Sequence, residues 1–540
     1  MNQAVAVEGR RERGCWFRKL KAGLKGRWWE TNAYAFMLIL LSIVPLIVPE
    51  TPPLTDLPGH MARYAVELYL SQSLSLQRFF EFHWTIVGNL GVDLLIIPVT
   101  KLFGLETSVK LIVIFTAGIT TTGILCVAKH VHGRFPPSTA LAIPFVYGFP
   151  FGQGFINFSL ATGLSLLSFA YWMKLTARGA NVARSILFVP ISCLLWLTHI
   201  FGWAILGLLA FSYQLVVLSK QNKKPTDVVF QTIKSLIPLS LPMILLTYDG
   251  FHNIGLTYTG GFFNPITKAD SLINVLRDRW MLWDCFSLAC VFVAIWVAYR
   301  DKKFTCSNEL MVAVGILAFT FVLLPSVIFG SAFADTRILP HIFIIGVLSI
   351  GRAAKFEGDN RQFAFICALF LIVRIAGTSV SYFIADGVSR ERLTALNYFS
   401  PGARVLNLTG DACPREWELP RHAHLGSFVV IRRGGFSNDQ FTLPGAQLLR
   451  VKYAAAIPFQ TDPSMFVYSQ ECVAKARRQS NGDQPAGLTI AEALRVFPRE
   501  AFDYVWILKP VGVYSPPPDL VQLWRGNDSI VFGVRRRKAR

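Results

Sequence analysis

The feature that most constrains this chain is a succession of apolar runs, each near the length at which a helix crosses a lipid bilayer. A span takes about 20 apolar residues, because lipid offers no partner to an unpaired backbone N–H or C=O. Such runs cover residues 32–49, 108–129, 138–150, 155–174, 184–198, 201–219, 230–247, 284–299, 309–329, 335–351 and 362–385. Several are short and need neighbouring residues to reach full length. Of 540 residues, 53% are hydrophobic and only 16% charged. That is too little charge to cover a soluble surface of this size. The expected fold is an α-helical polytopic membrane protein, which excludes disorder or a coiled coil as the main architecture.

The net charge of +20 reads as topogenic. Arg10, Arg11, Arg13, Arg18, Lys19, Lys21, Lys25 and Arg27 precede the first run, and Arg535, Arg536, Arg537, Lys538 and Arg540 form a tail. No small-x-small cleavage site follows the first run, so it reads as a retained anchor. A further run, 86–103, contains Asp93 and has two readings. Counted as non-spanning, it leaves the basic loops Lys129–Arg134, Lys174–Arg184, Lys220–Lys224, Arg300–Lys303 and Arg352–Arg361 all on the cytoplasmic side. Counted as a span, it reverses them against the positive-inside bias. The expectation is therefore eleven spans, a cytoplasmic basic stretch 1–31, a membrane domain 32–385 with a long outside loop 50–107, and an outside domain 386–540. In that loop the 86–103 run lies along or dips into the membrane surface. No basic face with interleaved aromatics appears, so nucleic acid is not an expected partner.

After residue 386 the composition turns polar. Short β-like runs at Ala403–Leu408, Ser427–Ile431, Asp503–Leu508 and Ser529–Val534, with a helical stretch Ile490–Val496, predict a small α/β domain. The nine cysteines form no CxxC or Cys/His metal spacing. Only Cys413 and Cys472 lie in the polar region. Outside the membrane they read as a disulfide, or else as two buried thiols.

Candidate site residues sit at the outside ends of the spans. Asp56 stands at the start of a helix in which Met61, Tyr64, Ala65, Leu68 and Tyr69 share one face and Arg63, Glu67 and Ser71 the other. Such a helix is expected flat on the membrane interface. Asp56 reads either as the N-cap of that helix, with Pro58 in the first turn, or as a general base with His60 one turn away. Gly148, Gly152, Gln153, Gly154 and Asn157 cluster at one outside turn, where the glycines allow close helix packing or open room for a lipid chain facing Asn157. His199 between two apolar runs is a structural histidine or a phosphate ligand. Asp335 and Arg337 form an ion pair with other helices, or Arg337 presents its planar fork to phosphate oxygens. Arg374 lies mid-span, where a charge costs about 2.5–3.5 kcal/mol and must face the bundle interior or a wet cavity. The loop 248–283 carries Asp249, His252, Lys268, Arg277 and Arg279, charges expected on a solvated face of an interfacial helix.

The order of one span, a long outside loop with an acidic residue, many spans and an outside C-terminal domain resembles the GT-C superfamily of membrane glycosyltransferases. The segments Asp56-Leu57-Pro58-Gly59-His60-Met61-Ala62-Arg63, Gly154-Phe155-Ile156-Asn157-Phe158 and Ala334-Asp335-Thr336-Arg337-Ile338-Leu339-Pro340 look like those of bacterial proteins of that type. The resemblance implies a bacterial inner-membrane enzyme that moves a sugar from a polyprenyl-phosphate carrier to an extracytoplasmic acceptor. It places catalysis on Asp56, with His60 beside it. Arg337, with His199 or Arg374, would hold the leaving phosphate, and Asn157 and Asp335 complete the candidate binding set. Where members carry two adjacent acidic residues, this chain has Thr55-Asp56, which weakens a metal-site reading. No cofactor is expected, although a divalent metal is left open. Two other functions remain open: a transporter or lipid flippase with Arg374 on the path, and a non-catalytic envelope scaffold. No pair of similar halves supports the transporter.

Overall fold

The computed structural model describes residues 27–221, 223–244, 258–353, 361–411, 413, 416–443, 447–479 and 487–535. The basic stretch through residue 26, Asp249 and His252, the middle of the 352–361 loop and the tail from residue 536 lie outside the described residues, as do residues 245–247 of the 230–247 run.

Among the described residues, six helices are long and apolar enough to cross a membrane: Leu105–His132, Ile156–Ala177, Asn181–Thr198, Ile200–Ser219, Met281–Arg300 and the helical stretch Arg361–Tyr398. Four shorter apolar segments, Asn32–Ile47, Thr139–Gly152, Asn308–Leu323 and Leu339–Leu348, complete the bundle. These lengths do not establish the expected count of eleven spans, and proline accounts for much of the shortfall. The 138–150 run breaks into Thr139–Ala142, a 3-10 turn Ile143–Tyr147 and Phe149–Gly152. Pro144 and Pro150 have no N–H to give a continuous helix. The 230–247 run is likewise divided, with Pro225–Ser235 ending before the 3-10 turn Ile237–Leu239 that contains Pro238. The last long helix, Arg361–Leu393, has 33 residues. At 1.5 Å per residue it exceeds a bilayer's hydrocarbon thickness, so its final turns, carrying Asp386, Arg390 and Arg392, project into the C-terminal domain.

Within the first loop the run around Asp93 forms Gly91–Phe103, a 13-residue helix too short to span. The helix Leu57–Tyr69 departs from the expected half-wet amphipathic helix. Residues 57–59 and 61–66 are all buried, Arg63 included. Met61, Tyr64 and Ala65 enter the core of the membrane bundle, whereas Ala62 and Val66 enter the core of the C-terminal domain with Leu406, Val430 and Phe436. The helix is a slab between two cores, not a float on the lipid. The loop's strand Phe80–Phe82 then pairs antiparallel with Leu449–Val451, stitching loop to domain.

The C-terminal sheet runs Phe436–Ser437, Arg404–Gly410, Tyr504–Leu508, Ser529–Val534, Leu520–Arg525, with Phe466–Val467 also on Arg404–Gly410. Arg404–Gly410 is parallel to its three partners, while Ser529–Val534 is antiparallel to both of its own. The helix Ile490–Val496 opens with a reciprocal capping box between Thr489 and Glu492. The expected strand Ser427–Ile431 is instead part of a helical segment, Phe428–Arg433, closed by Gly434 at φ 59. A short apolar run fits either element; here Phe428, Val429 and Val430 pack as a helix against the first-loop helix. Cys413 and Cys472 are joined by a disulfide, with Cα atoms 6.0 Å apart.

Candidate functional site

Between the bundle and the C-terminal domain lies a cavity of about 1620 Å³. Its membrane-domain lining is strongly aromatic, with Phe155, Phe158, Trp196, Phe201, Trp203 and Phe333 on the wall. Polar groups from the bundle and from the C-terminal domain also line it, among them Arg277, Arg279, Arg392, Arg421, Glu418 and Lys509. Charges here are largely paired, as in Arg279–Glu418 and Lys509–Glu416. Asp56, His60, Asn157, His199 and Arg337 all line this cavity.

The Asp56 backbone is held by the glycine turn that ends the broken segment. Thr55 N–H donates to the Gly152 carbonyl at 3.1 Å and Asp56 N–H to the Gln153 carbonyl at 2.8 Å. Gly154 adopts φ 90, and a Cβ there would stand 2.9 Å from the Leu57 nitrogen. The turn therefore approaches the Asp56 loop more closely than any side chain allows. Asp56 occupies the N-cap position of Leu57–Tyr69, yet its side chain makes no capping hydrogen bond. The carboxylate turns to the cavity, 19% exposed, with His424 Nε2 at 3.7 Å from Oδ1. Burial holds its pKa well above the usual carboxylate value; the nearby Asp462 pushes it further up, and Arg337 pulls it partly back. A carboxyl so placed is a stronger base than an ordinary aspartate.

Arg337 faces the same space without forming a salt bridge to Asp56. Its Nη2 donates to Ser331 Oγ at 3.0 Å and the Ala332 carbonyl at 3.3 Å. The guanidinium lies 4.7 Å from the Phe155 ring centre and 5.2 Å from that of Phe201. Its Nε has no hydrogen-bond partner among the described residues. His199 caps the helix Ile200–Ser219 by accepting the Phe201 N–H at Nδ1, which makes Nε2 the donor of a neutral ring.

His60, Asn157, Asp335 and Arg374 have other surroundings than the sequence reading gave them. His60 packs on the Phe441 ring, 5.4 Å between centres, and burial, followed by Arg63 and His424, holds it neutral. The imidazole at Asp56 is that of His424, from the C-terminal domain. Asn157 is a clamp: its Oδ1 accepts the Val92 N–H at 2.6 Å, and its Nδ2 donates to the Asn89 carbonyl and to Asp93. Asp335 is off the cavity wall, bound to buried Lys268 at 2.6 Å, so Lys268 is not the solvated charge expected. Arg374 is also away from the cavity. It pairs with Asp284 at 2.6 Å and donates to the Leu276 carbonyl, which accounts for a charge at that depth by structure alone. Arg277 and Arg279 grip residues 416–418, where a solvated face was expected.

Sequence reasoning missed His424 and Asp462. The run Arg421-His422-Ala423-His424, with two imidazoles and a guanidinium in four residues, was the available signal. Asp462 carried none. Among the described residues, no group of three His, Cys, Asp or Glu side chains converges as metal ligands would.

The chain is similar to two solved structures of ArnT from Cupriavidus metallidurans, one bound to undecaprenyl phosphate and one in the apo state. Each aligns at 12% identity with a TM-score of 0.44 over 93% of this chain, and over 98% and 97% of the ArnT chains respectively. No protein-family model matches the chain, and no curated protein does.

Proposed function

We propose that this chain is a membrane glycosyltransferase. It moves a sugar from a polyprenyl-phosphate carrier to an acceptor hydroxyl on the extracytoplasmic side of the inner membrane. The observation that carries this reading is a single cavity in which an uncapped, half-buried carboxylate and a guanidinium face common space without pairing, on a wall that is aromatic around the guanidinium and otherwise rich in polar groups. The aromatic lining takes the carrier's isoprenoid end. Arg337, gripped on one side by Ser331, offers its remaining N–H groups to the phosphate, and its flat face is already held by phenyl rings.

The acceptor enters along the polar lining. Asp56 removes its proton as the hydroxyl oxygen attacks the anomeric carbon from the side opposite the phosphate. The bond from that carbon to the phosphate oxygen breaks, and its electron pair leaves with the phosphate held by Arg337. His199 adds a donor near the same end of the cavity. The basic loops support the orientation, with residues 50–107 and the C-terminal domain outside.

The test uses full-length protein in lipid nanodiscs with undecaprenyl phosphate, the lipid held in one of the ArnT structures, and its sugar-linked forms. Asp56→Asn is expected to bind the carrier as the wild type does and to transfer no sugar. Arg337→Ala is expected to weaken carrier binding. Full transfer by Asp56→Asn rules the reading out, as does lipid translocation that Asp56→Asn leaves intact.

A further inference from the structure

We propose that His424 is a positioning residue for Asp56, so that the C-terminal domain completes the base supplied by the membrane domain. This rests on the glycosyl-transfer reading. Four observations on the ring itself lead there.

The first is its tautomer. His424 Nδ1 lies 2.9 Å from the Asp439 carbonyl oxygen. A carbonyl only accepts, so Nδ1 carries the hydrogen, and a neutral ring keeps its lone pair on Nε2. Second, that lone pair is on the Asp56 side, with Nε2 3.7 Å from Oδ1. This is too long for a hydrogen bond, so the Asp56 carboxyl must turn toward the fixed ring to make one. Third, the ring is neutral, because burial pushes His424 down to about 4. Fourth, the ring is locked. Phe441 packs against it at a tilt, with 4.4 Å between ring centres and 42° between planes. Position 59 must be glycine for this packing, since a Cβ there would stand 2.7 Å from Phe441 Cε2 and 3.4 Å from His424 Nδ1.

Two further charged groups act on Asp56, and a second imidazole stands one turn away. Asp462 comes from the C-terminal domain, Arg337 from across the cavity, and His60 from one turn along the helix. His60 is neutral and packed at a tilt on Phe441, Arg337 is a donor only, and Asp462 repels the ionised form of Asp56. His424 is the one whose acceptor nitrogen is fixed by a hydrogen bond of the same ring and stands 3.7 Å from Asp56 Oδ1.

During transfer the acceptor's O–H bond breaks and its proton binds an Asp56 oxygen. The new O–H turns to His424 Nε2 and donates to it, with no proton passing to the ring. A hydrogen bond made only by the protonated carboxyl favours that form, and so makes Asp56 a better base. The carboxyl is also prevented from swinging back to cap its own helix.

The experiment is infrared difference spectroscopy of full-length protein in nanodiscs. The protonated Asp56 C=O band is identified by its loss in Asp56→Asn and is then titrated with pH. His424→Asn keeps a donor for the Asp439 carbonyl but is too short to reach Asp56. It is expected to lower the band's titration midpoint and to shift the band toward a free carboxylic acid. His424→Gln, whose Oε1 reaches as Nε2 does, is expected to restore both. Turnover with the sugar-linked carrier should fall about tenfold in His424→Asn, mainly in kcat, the loss of one hydrogen bond. An unchanged band and midpoint in His424→Asn overturns the proposal, as does a wild-type C=O band that already has the frequency of a free acid. That second measurement stands even where the variants fail to fold. The infrared response needs no substrate, so a positive response without sugar transfer counts against the glycosyltransferase reading alone.

Discussion

At Asp56 the local role and the tertiary role compete for one carboxylate. The position is an N-cap, and a capping bond would stabilise the helix by about 1 kcal/mol. The carboxylate forgoes it and sits in the cavity instead, with its pKa raised first by burial and then by Asp462. Two outcomes follow. On the proposed function, transfer should switch on as pH rises through a point above the ordinary carboxylate range, because only an ionised Asp56 could accept a proton. Asp462→Asn should move that limb of the kcat/KM profile to lower pH by removing the like charge. The sign for stability is the reverse of that for activity. A carboxyl with a raised folded pKa stabilises the fold fully below its unfolded pKa, and that stability is lost as pH rises through the folded pKa. Asp56→Asn is therefore expected to melt higher than the wild type at pH 8 while being inactive. At Arg337, Lys retains the charge but not the flat fork between phenyl rings, so Arg337→Lys should lose carrier affinity in a direct binding titration.

Among the elements, the Gly152–Gly154 turn and the Gly91–Phe103 helix fix where the first loop sits. Gly154→Ala combines a φ of 90 with a Cβ 2.9 Å from backbone. It is expected to cost about 1–3 kcal/mol and to reduce transfer by displacing Asp56, seen as a drop in both melting temperature and kcat. The second anchor is the Arg63–Asp93 pair at 2.9 Å, with side chains 3% and 1% exposed. Asp93 also receives Asn157 Nδ2, so three elements meet on one carboxylate. Asp93→Ala removes the carboxylate paired with buried Arg63, a loss of about 3–5 kcal/mol, measurable by SDS-titrated unfolding. Arg374 and Asp284 make a similar buried pair. Removing Arg374 should lower stability and, on the proposed reading, leave carrier binding by the folded fraction unchanged. The elements differ in how far sequence could describe them. Ile490–Val496 and Ser529–Val534 were legible to the residue, because a capping box and a β-branched, apolar run are local signals. Phe428–Arg433 was not, since its apolar run has no period of its own and tertiary packing chose the helix.

At the scale of the molecule, the C-terminal domain is bolted to the bundle. Arg392 pairs with Asp528, Arg421 with Asp278, and the Trp417 indole N–H donates to Asp284 at 2.8 Å. The cavity thus has a membrane wall and a domain roof, and its charged groups come from both. The proposed orientation predicts the outcome of cysteine labelling in intact cells. Val513→Cys, at a fully exposed position of the C-terminal domain, should react with a membrane-impermeant maleimide from outside. Gly133→Cys, in the basic loop after Leu105–His132, should react only after permeabilisation. Labelling of residue 133 from outside reverses the topology and removes the extracytoplasmic assignment.

What the sequence by itself determined is what depends on neighbours along the chain. Hydropathy marks the apolar helices, since lipid permits little else. The polar shift after residue 386 marks the second domain. An acidic residue at the head of a loop helix, and an arginine at a membrane entry nearly three hundred positions later, mark candidates for chemistry. Only the tertiary structure decided which candidates share a cavity. Asp335, Arg374 and Arg337 are all charges at or within apolar runs, indistinguishable by local pattern. Lys268 and Asp284 take up the first two and leave the third on the cavity wall. The choice between His60 and His424 is of the same kind. A turn of helix brings His60 near Asp56 in sequence, yet the ring turns onto Phe441, while His424 arrives from 368 positions away because the domain's core and the loop helix share buried residues. Burial and pairing are properties of space, and no spacing along the chain encodes them.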